Sequence, residues 1–274
     1  AGEPRQGYLA HAALLDLRKG AFYTGKRVSS EALGLAGSAR GIMRVWNRDW
    51  KAETFGARDV LEFNLDDEKV RLRLIATYTG QPVLHGERGF SRKGQCQSCA
   101  SQYFSLPGMQ VEGQVEIDSR IEPVQGVAWM DHEFMSNALE ESQSGWDWFS
   151  LQFKDGRKLM LYQLRARAGG ISYASGTLIS GAGTRALRPE EFSVEVLSTW
   201  ASRKSGATYP ARWRVRLPSA GIDETIIALH AEQEILGDDT SGITYWEGAV
   251  RTESREALGY VEMTGYQSEL GAKF

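Results

Sequence analysis

At 274 residues, with 42% hydrophobic and 10% aromatic side chains, the chain can build one large or two medium cores, which excludes a disordered polymer. A net charge of -3 and a pI near 5.9, with Lys and Arg dispersed along the chain, exclude a general nucleic-acid surface. No apolar run approaches the roughly 20 residues that a membrane-spanning helix needs.

The opening residues, 1–7, lack an initiator Met and the layout of a signal peptide, so the chain reads as a processed or trimmed product. Nearly everything after them reads as strand. Residues 8–17 are apolar, and 31–36 carry the best helical signal. Residues 41–50 alternate, and 60–65 with 69–78 form a hairpin around Asp66, Asp67 and Glu68. In its second arm Val70, Leu72, Leu74 and Ala76 face one way and Arg71 and Arg73 the other, the period of a half-buried strand. Residues 82–94 form a loop carrying His85. Cys96 and Cys99 then make one Cys-x-x-Cys, too few ligands for a structural zinc and suited to two thiols or a local disulfide with no catalytic role, with metal or redox function as the alternative. Strands follow at 102–106, 110–117 and 121–134, with turns at 106–108 and 117–120. The second half predicts strands at 146–153, 158–165, 172–179, 192–200, 211–217, 225–229, 244–250 and 259–266, with Asp155-Gly156 as a hairpin turn. Two successive sets of short strands predict an all-β chain of two antiparallel barrels or sandwiches, divided near Pro123 into domains 1–123 and 124–274.

The densest chemistry lies in 126–165. On a strand, Trp129, Asp131 and Glu133 share one face and Met130, His132 and Phe134 the other. On the next strand Trp146, Trp148, Ser150 and Gln152 oppose Asp147, Phe149, Leu151 and Phe153. On the third, Met160, Tyr162 and Leu164 oppose Leu161, Gln163 and Arg165. Paired strands bring such sets within roughly 4.5–5.5 Å. The result is an aromatic patch with a few polar groups, suited to an apolar ligand with one polar or protonatable feature. Asp131, His132 and Glu133 are the candidate acid–base groups, because burial raises a carboxyl's pKa toward neutrality. A purely structural role, in which these groups bond loop backbones and the tryptophans fill a core, is the competing reading. Strand parity keeps the three from chelating one ion, so no metal is expected.

The remaining candidates are weaker. His85 could reach a cleft, whereas His11 and His230 read as packed and Glu232 and Glu234 as a solvated face. The stretch 245–248 reads as core or pocket wall. No Gly-x-Ser-x-Gly elbow, P-loop or dinucleotide fingerprint is present.

Several segments resemble the carotenoid 1,2-hydratase-like family, in its AttH-like branch of lipocalin-like proteins. They are residues 10–14 and 82–86, then Gly126-Val127-Ala128-Trp129-Met130-Asp131-His132-Glu133-Phe134 and Gly145 to Gln152. Later ones are Tyr209 to Trp213, Tyr245 to Val250 and Thr264 to Tyr266. The resemblance covers nearly the whole chain. It implies two lipocalin-like β-barrel domains in tandem, the first lacking its opening strands. It also implies chemistry without a cofactor and a periplasmic or secreted location. Within that family the hydratase branch adds water to acyclic carotenoids, related fungal enzymes cyclise, and many AttH-like members are labelled as secreted hydrolases. His132 matches the hydratase pattern, but Leu164 stands where that branch carries an acid. The expected protein therefore binds a hydrophobic small molecule through Trp129, Trp146, Asp147, Trp148, Gln152, Tyr162, Trp246 and His85. If catalytic, it uses His132 with Asp131 or Glu133 for hydration, isomerisation or cyclisation. The alternatives are a non-catalytic carrier of the cell envelope and, more remotely, a secreted hydrolase. Oligomeric state is left open.

Overall fold

A computed structural model describes residues 6–65, 69–96, 98–135, 139–237, 242–268 and 270. The first eleven strands are β1 (Gly7–Asp16), β2 (Ala21–Ser30), β3 (Ala36–Ser38), β4 (Arg44–Asn47), β5 (Trp50–Phe55), β6 (Arg58–Leu65), β7 (Val70–Thr77), β8 (Val83–Leu84), β9 (Phe90–Arg92), β10 (Ala100–Ile117) and β11 (Arg120–Phe134). The others are β12 (Gln143–Phe153), β13 (Lys158–Ala166), β14 (Ile171–Ser180), β15 (Gly183–Leu187), β16 (Ser193–Ala201), β17 (Thr208–Leu217), β18 (Ile222–Ala228), β19 (Glu234–Ile235), β20 (Tyr245–Thr252) and β21 (Ala257–Thr264). Every pairing whose register is given is antiparallel.

Contacts divide the chain into two units, Ala1–Gln81 with Leu106–Met130, and Pro82–Ser105 with Asp131–Phe274. The division expected near Pro123 falls inside β11, which runs unbroken through that residue. Strands β10 and β11 each contribute residues to both units.

In the first unit the β1–β2 hairpin packs with β4 to β7 around Trp50, Leu65 and Val70. The Asn47 side-chain amide donates to the Tyr8 and Arg27 carbonyls, both at 3.1 Å, and ties the hairpin to β4. The single strand expected at 41–50 is two. Asn47 pairs with Trp50 across a tight turn at Arg48, whose φ is 58°. Alternation alone cannot see this break, because turn and strands are equally polar here. The helical signal at 31–36 becomes one 3₁₀ turn, Ala32–Gly34. The hairpin at Asp66 to Glu68 lies outside the described residues, while its arms pair from Arg58↔Thr77 to Leu65↔Val70. The turn expected at 106–108 does not exist. Pro107 sits inside β10, between the stretch paired with β8 and the stretch paired with β7, so its missing N–H costs that side of the ladder nothing. The turn expected at 117–120 is present, with Asp118 and Ser119 both at positive φ.

The second unit holds one sheet in the order β15-β14-β13-β12-β21-β20-β18-β17-β16, with β19 on β20. Two antiparallel runs build it, β12 to β15 and β16 to β21, and they join where β21 pairs with β12. Phe149, Leu151, Leu161, Trp213, Val215, Ile226, Trp246, Val250, Val261 and Met263 form its core, each at most 1% exposed. Burying side chains of this size contributes about 1.5–3 kcal/mol each. Val261 and Met263 on β21 and Phe149 and Leu151 on β12 face this core, so the alternate residues 146, 148 and 262 project from the opposite face. Glu234, expected on a solvated face, is buried instead, and the hydroxyls of Ser202 and Ser205 donate to its carboxylate.

Candidate functional site

The face of the second unit's sheet opposite the core carries an open cavity of about 260 Å³. It is lined by Lys93, Tyr103, Asp131, Glu133, Met135, Trp146, Trp148, Tyr162, Leu164 and Glu262. The register explains the wall. Trp148 pairs with Tyr162 on one side and Glu262 on the other, and Trp146 pairs with Leu164, so one row of side chains crosses β13, β12 and β21.

The other wall comes from β10, β11 and the loop before β10. The Tyr103 hydroxyl donates to Asp131 Oδ2 at 2.7 Å and accepts the Trp148 indole N–H at 3.0 Å. Ser105 donates to the other Asp131 oxygen. Lys93 Nζ lies 2.7 Å from Glu133 Oε1, 4.0 Å over the Tyr162 ring and 5.0 Å from that of Tyr103. Its backbone is fixed by the Lys93 N–H donating to the Cys99 carbonyl and by buried Gln143 donating to the Lys93 carbonyl. Cys96 and Cys99 are joined in a disulfide inside this loop. The grouping of metal-type ligand atoms found among the described residues, Cys96, Cys99 and Glu140, thus has both sulfurs in a covalent bond.

His85 supports this wall from behind. It is 1% exposed, not a surface loop residue, and its ring lies 4.2 Å from that of Tyr103. Nδ1 is 2.8 Å from Thr177 Oγ1 and Nε2 is 2.6 Å from Ser105 Oγ. Ser105 gives its own proton to Asp131, so it accepts from His85, which is neutral with its proton on Nε2, while Thr177 donates to Nδ1. Burial, then the charge of Lys93, pushes the imidazole down to about 3. Gly86 follows with φ 63°, and a Cβ there would meet the Phe90 carbonyl oxygen at 2.2 Å, so the turn that seats His85 requires glycine. The expected result is a neutral Nε2–H tautomer of His85 in nitrogen NMR down to pH 5. An imidazolium signal appearing above that pH contradicts the network. Ser105 is fully buried and His85 has no carboxylate on Nδ1, so the pair does not form a serine nucleophile.

Glu262 is the acid that strand reasoning missed. The Trp146 indole N–H donates to its Oε1 at 3.0 Å. Burial, reinforced by the Asp131 and Glu133 charges and opposed by the Trp146 bond, pushes its carboxyl up to about 7. Directly opposite on β20, Glu247 is pushed up to about 8 by burial and by Glu262. Tyr103 is held well above the usual phenol range, first by burial and then by Asp131, and Tyr162 is pushed up to about 12 by burial. Both phenols therefore keep their protons at neutral pH. The cavity thus pairs proton-bearing phenols with a carboxyl poised at neutrality, a combination that can give and take a proton.

Of the residues expected from sequence, Asp131, Glu133, Trp146, Trp148 and Tyr162 line the cavity. His132 does not reach it: its ring packs tilted against those of Phe104 and Phe134, 5.2 and 4.3 Å away, on the other face of β10 and β11. Asp147 and Trp246 lie in the core, Asp147 bonded by Arg165 and Tyr266, and Trp246 donating to the Ala231 carbonyl. Gln152 lies farther along β12 and is not in the lining. Trp129 belongs to the stretch of β11 in the first unit. Leu164 is in the wall where the resemblance led us to look for an acid, and β21 supplies Glu262 to the same cavity. A larger opening in the first unit, about 470 Å³, lies between 14–19 and 115–124. Its rim charges Arg18, Lys19 and Arg120 are already paired with Glu122 or Asp118, and it brings no comparable chemistry together.

The two curled antiparallel sheets define a tandem lipocalin-like protein. The chain belongs to the AttH-like family, whose model matches residues 2–266. A crystal structure of an AttH protein from Nitrosomonas europaea is similar at 33% identity and a TM-score of 0.87, covering 95% of this chain and 82% of that one. Kievitone hydratase from Nectria haematococca shares the fold at 19% identity and a TM-score of 0.72, covering 95% of this chain and 80% of that one. No curated protein matches the sequence.

Proposed function

We propose that the second unit binds a small, largely apolar molecule in the Glu262 cavity and exchanges a proton with it, catalysing a cofactor-independent hydration, isomerisation or cyclisation. The observation that carries this reading is a carboxyl near pKa 7 in the same aromatic wall as Trp146 and Trp148, facing the Tyr103–Asp131 pair. In the hydration form, the Glu262 O–H bond breaks as a C–H bond forms on the ligand's double bond. Water then adds to the resulting cation and returns its proton to the Glu262 carboxylate, so the net change is addition of water. Asp131 is kept as an acceptor by two hydroxyl donors, and Tyr103 orients the ligand's polar group. That a distant structural relative is a hydratase agrees with this reading.

Binding is tested first, by tryptophan fluorescence with a panel of isoprenoid alcohols, unsaturated fatty acids, phenolic polyketides and apolar amines. At least one class is expected to quench emission, and Trp148→Ala is expected to weaken it about 10-fold or more, the loss of one large aromatic wall. No change with any class overturns the reading. Binding followed by no change in any ligand makes the protein a carrier.

A further inference from the structure

The cavity's charge balance is unequal. Its lining holds three carboxyl groups, on Asp131, Glu133 and Glu262, and one ammonium, on Lys93. A fourth carboxyl, Glu247, stands beside Glu262 on the same face of the sheet. Among the described residues neither Glu247 nor Glu262 takes part in an ion pair; Glu262 receives a neutral indole N–H. Four aromatic rings, Tyr103, Trp146, Trp148 and Tyr162, complete the walls. Ring faces attract cations, and they do so more strongly where water is excluded. The site already shows this preference: the Lys93 ammonium sits against the faces of Tyr162 and Tyr103 and against Glu133. An anionic ligand would meet the carboxyl excess, and a neutral one would leave that excess to be relieved by protons on Glu262 and Glu247, whereas a cation compensates it directly.

We infer that the ligand of this cavity carries a positive charge, an ammonium or quaternary nitrogen on an apolar body, held between the Trp146 and Trp148 rings and the Glu262 carboxyl group. The inference rests on the proposed small-molecule reading and supplies its polar feature. The groups around the Glu262 carboxyl are Asp131 and Glu133 on β11, Tyr103 on β10, Lys93 before it, Tyr162 on β13, Tyr245 and Glu247 on β20, and Tyr260 on β21. Among them Glu262 is the carboxyl pushed up to about 7 that lines the cavity, so the cavity becomes more negative between pH 6 and pH 8.

The test compares three probes of similar size by tryptophan fluorescence: benzyltrimethylammonium, its uncharged carbon isostere neopentylbenzene, and phenylacetate. The cation is expected to bind at least about 10-fold tighter than the isostere, with phenylacetate weakest. Glu262→Gln is expected to remove most of the cation's advantage and to leave the isostere unchanged, and raising the pH from 6 to 8 to tighten only the cation. Binding of the isostere as well as the cation, or an advantage untouched by Glu262→Gln, overturns the cationic assignment while sparing the small-molecule reading. If neither the cation nor the isostere binds while a ligand of the earlier panel does, this inference falls and the small-molecule reading stands; if the panel fails as well, both fall.

Discussion

Replacing Arg165 by Met is expected to lower the unfolding free energy of the second unit by about 3–5 kcal/mol at pH 8, the cost of leaving a buried charge without its partner. Asp147 is 6% exposed among the core side chains of β12. Its carboxylate is held by Arg165 and by the Tyr266 hydroxyl at 3.0 and 3.2 Å, while Arg165 also donates to the Thr264 carbonyl and lies 3.9 Å over the Tyr266 ring. Even with Arg165 present, burial outweighs the ion pair and pushes Asp147 up to about 6 from 3.8. The folded state therefore binds more protons than the unfolded state between those values. The stability from this group is complete below about pH 4 and is lost as pH rises through about 6. Without Arg165 the folded value moves higher, so the variant's deficit grows as pH rises above 6. Urea unfolding at pH 5 and pH 8 measures this directly. A deficit equal at both pH values, or larger at pH 5, contradicts the assignment. Asp147→Asn added to Arg165→Met is expected to recover part of the loss at pH 8 by removing the stranded charge.

Glu262→Gln is expected to reduce turnover about 100- to 10,000-fold, the usual contribution of a positioned acid–base group, with little change in affinity for an uncharged ligand. Its effect on the fold runs the other way. With the folded carboxyl near 7 against 4.5 for an ordinary glutamate, the native state holds the extra proton and loses stability as pH rises through about 7. An amide in its place has no such penalty. The variant should thus be more stable than the parent at pH 8, by on the order of 2 kcal/mol after discounting for its partial exposure, and nearly equal to it at pH 5. The parent's turnover should fall above about pH 7, where the proton donor ionises. A variant that loses activity because it is less stable at pH 8 would make Glu262 a structural residue.

Much of the fold was legible because antiparallel strands with one wet face write their parity into the chain. The Val70 to Ala76 arm, the Asp118-Ser119 turn and the Asp155-Gly156 turn, where Gly156 has φ 89°, all follow from local chemistry. Parity also separates Asp147 from Trp146 and Trp148, and His132 from Asp131 and Glu133. What parity cannot tell is which strand closes on which. Glu262 becomes a neighbour of Trp146 and Trp148 only because β21 pairs with β12, more than a hundred residues earlier. Lys93 reaches the cavity from a loop whose position depends on Gln143 and the disulfide, and Tyr103 from a strand assigned to the first half of the chain. Both lie outside the reach of local periodicity.

Because β10 and β11 pass through both units, this protein has no single hinge of chain at which it can be cut into independent halves. A fragment beginning at 124 would carry Trp146, Trp148, Tyr162 and Glu262 but not Lys93 or Tyr103. Biosynthesis meets the same order from the other end. A nascent chain that has emerged as far as β13 has the phenols, the ammonium and both indoles, yet Glu262 arrives only with β21, at Ala257–Thr264. A chain interrupted between β13 and β21 would hold most of the cavity's walls without Glu262.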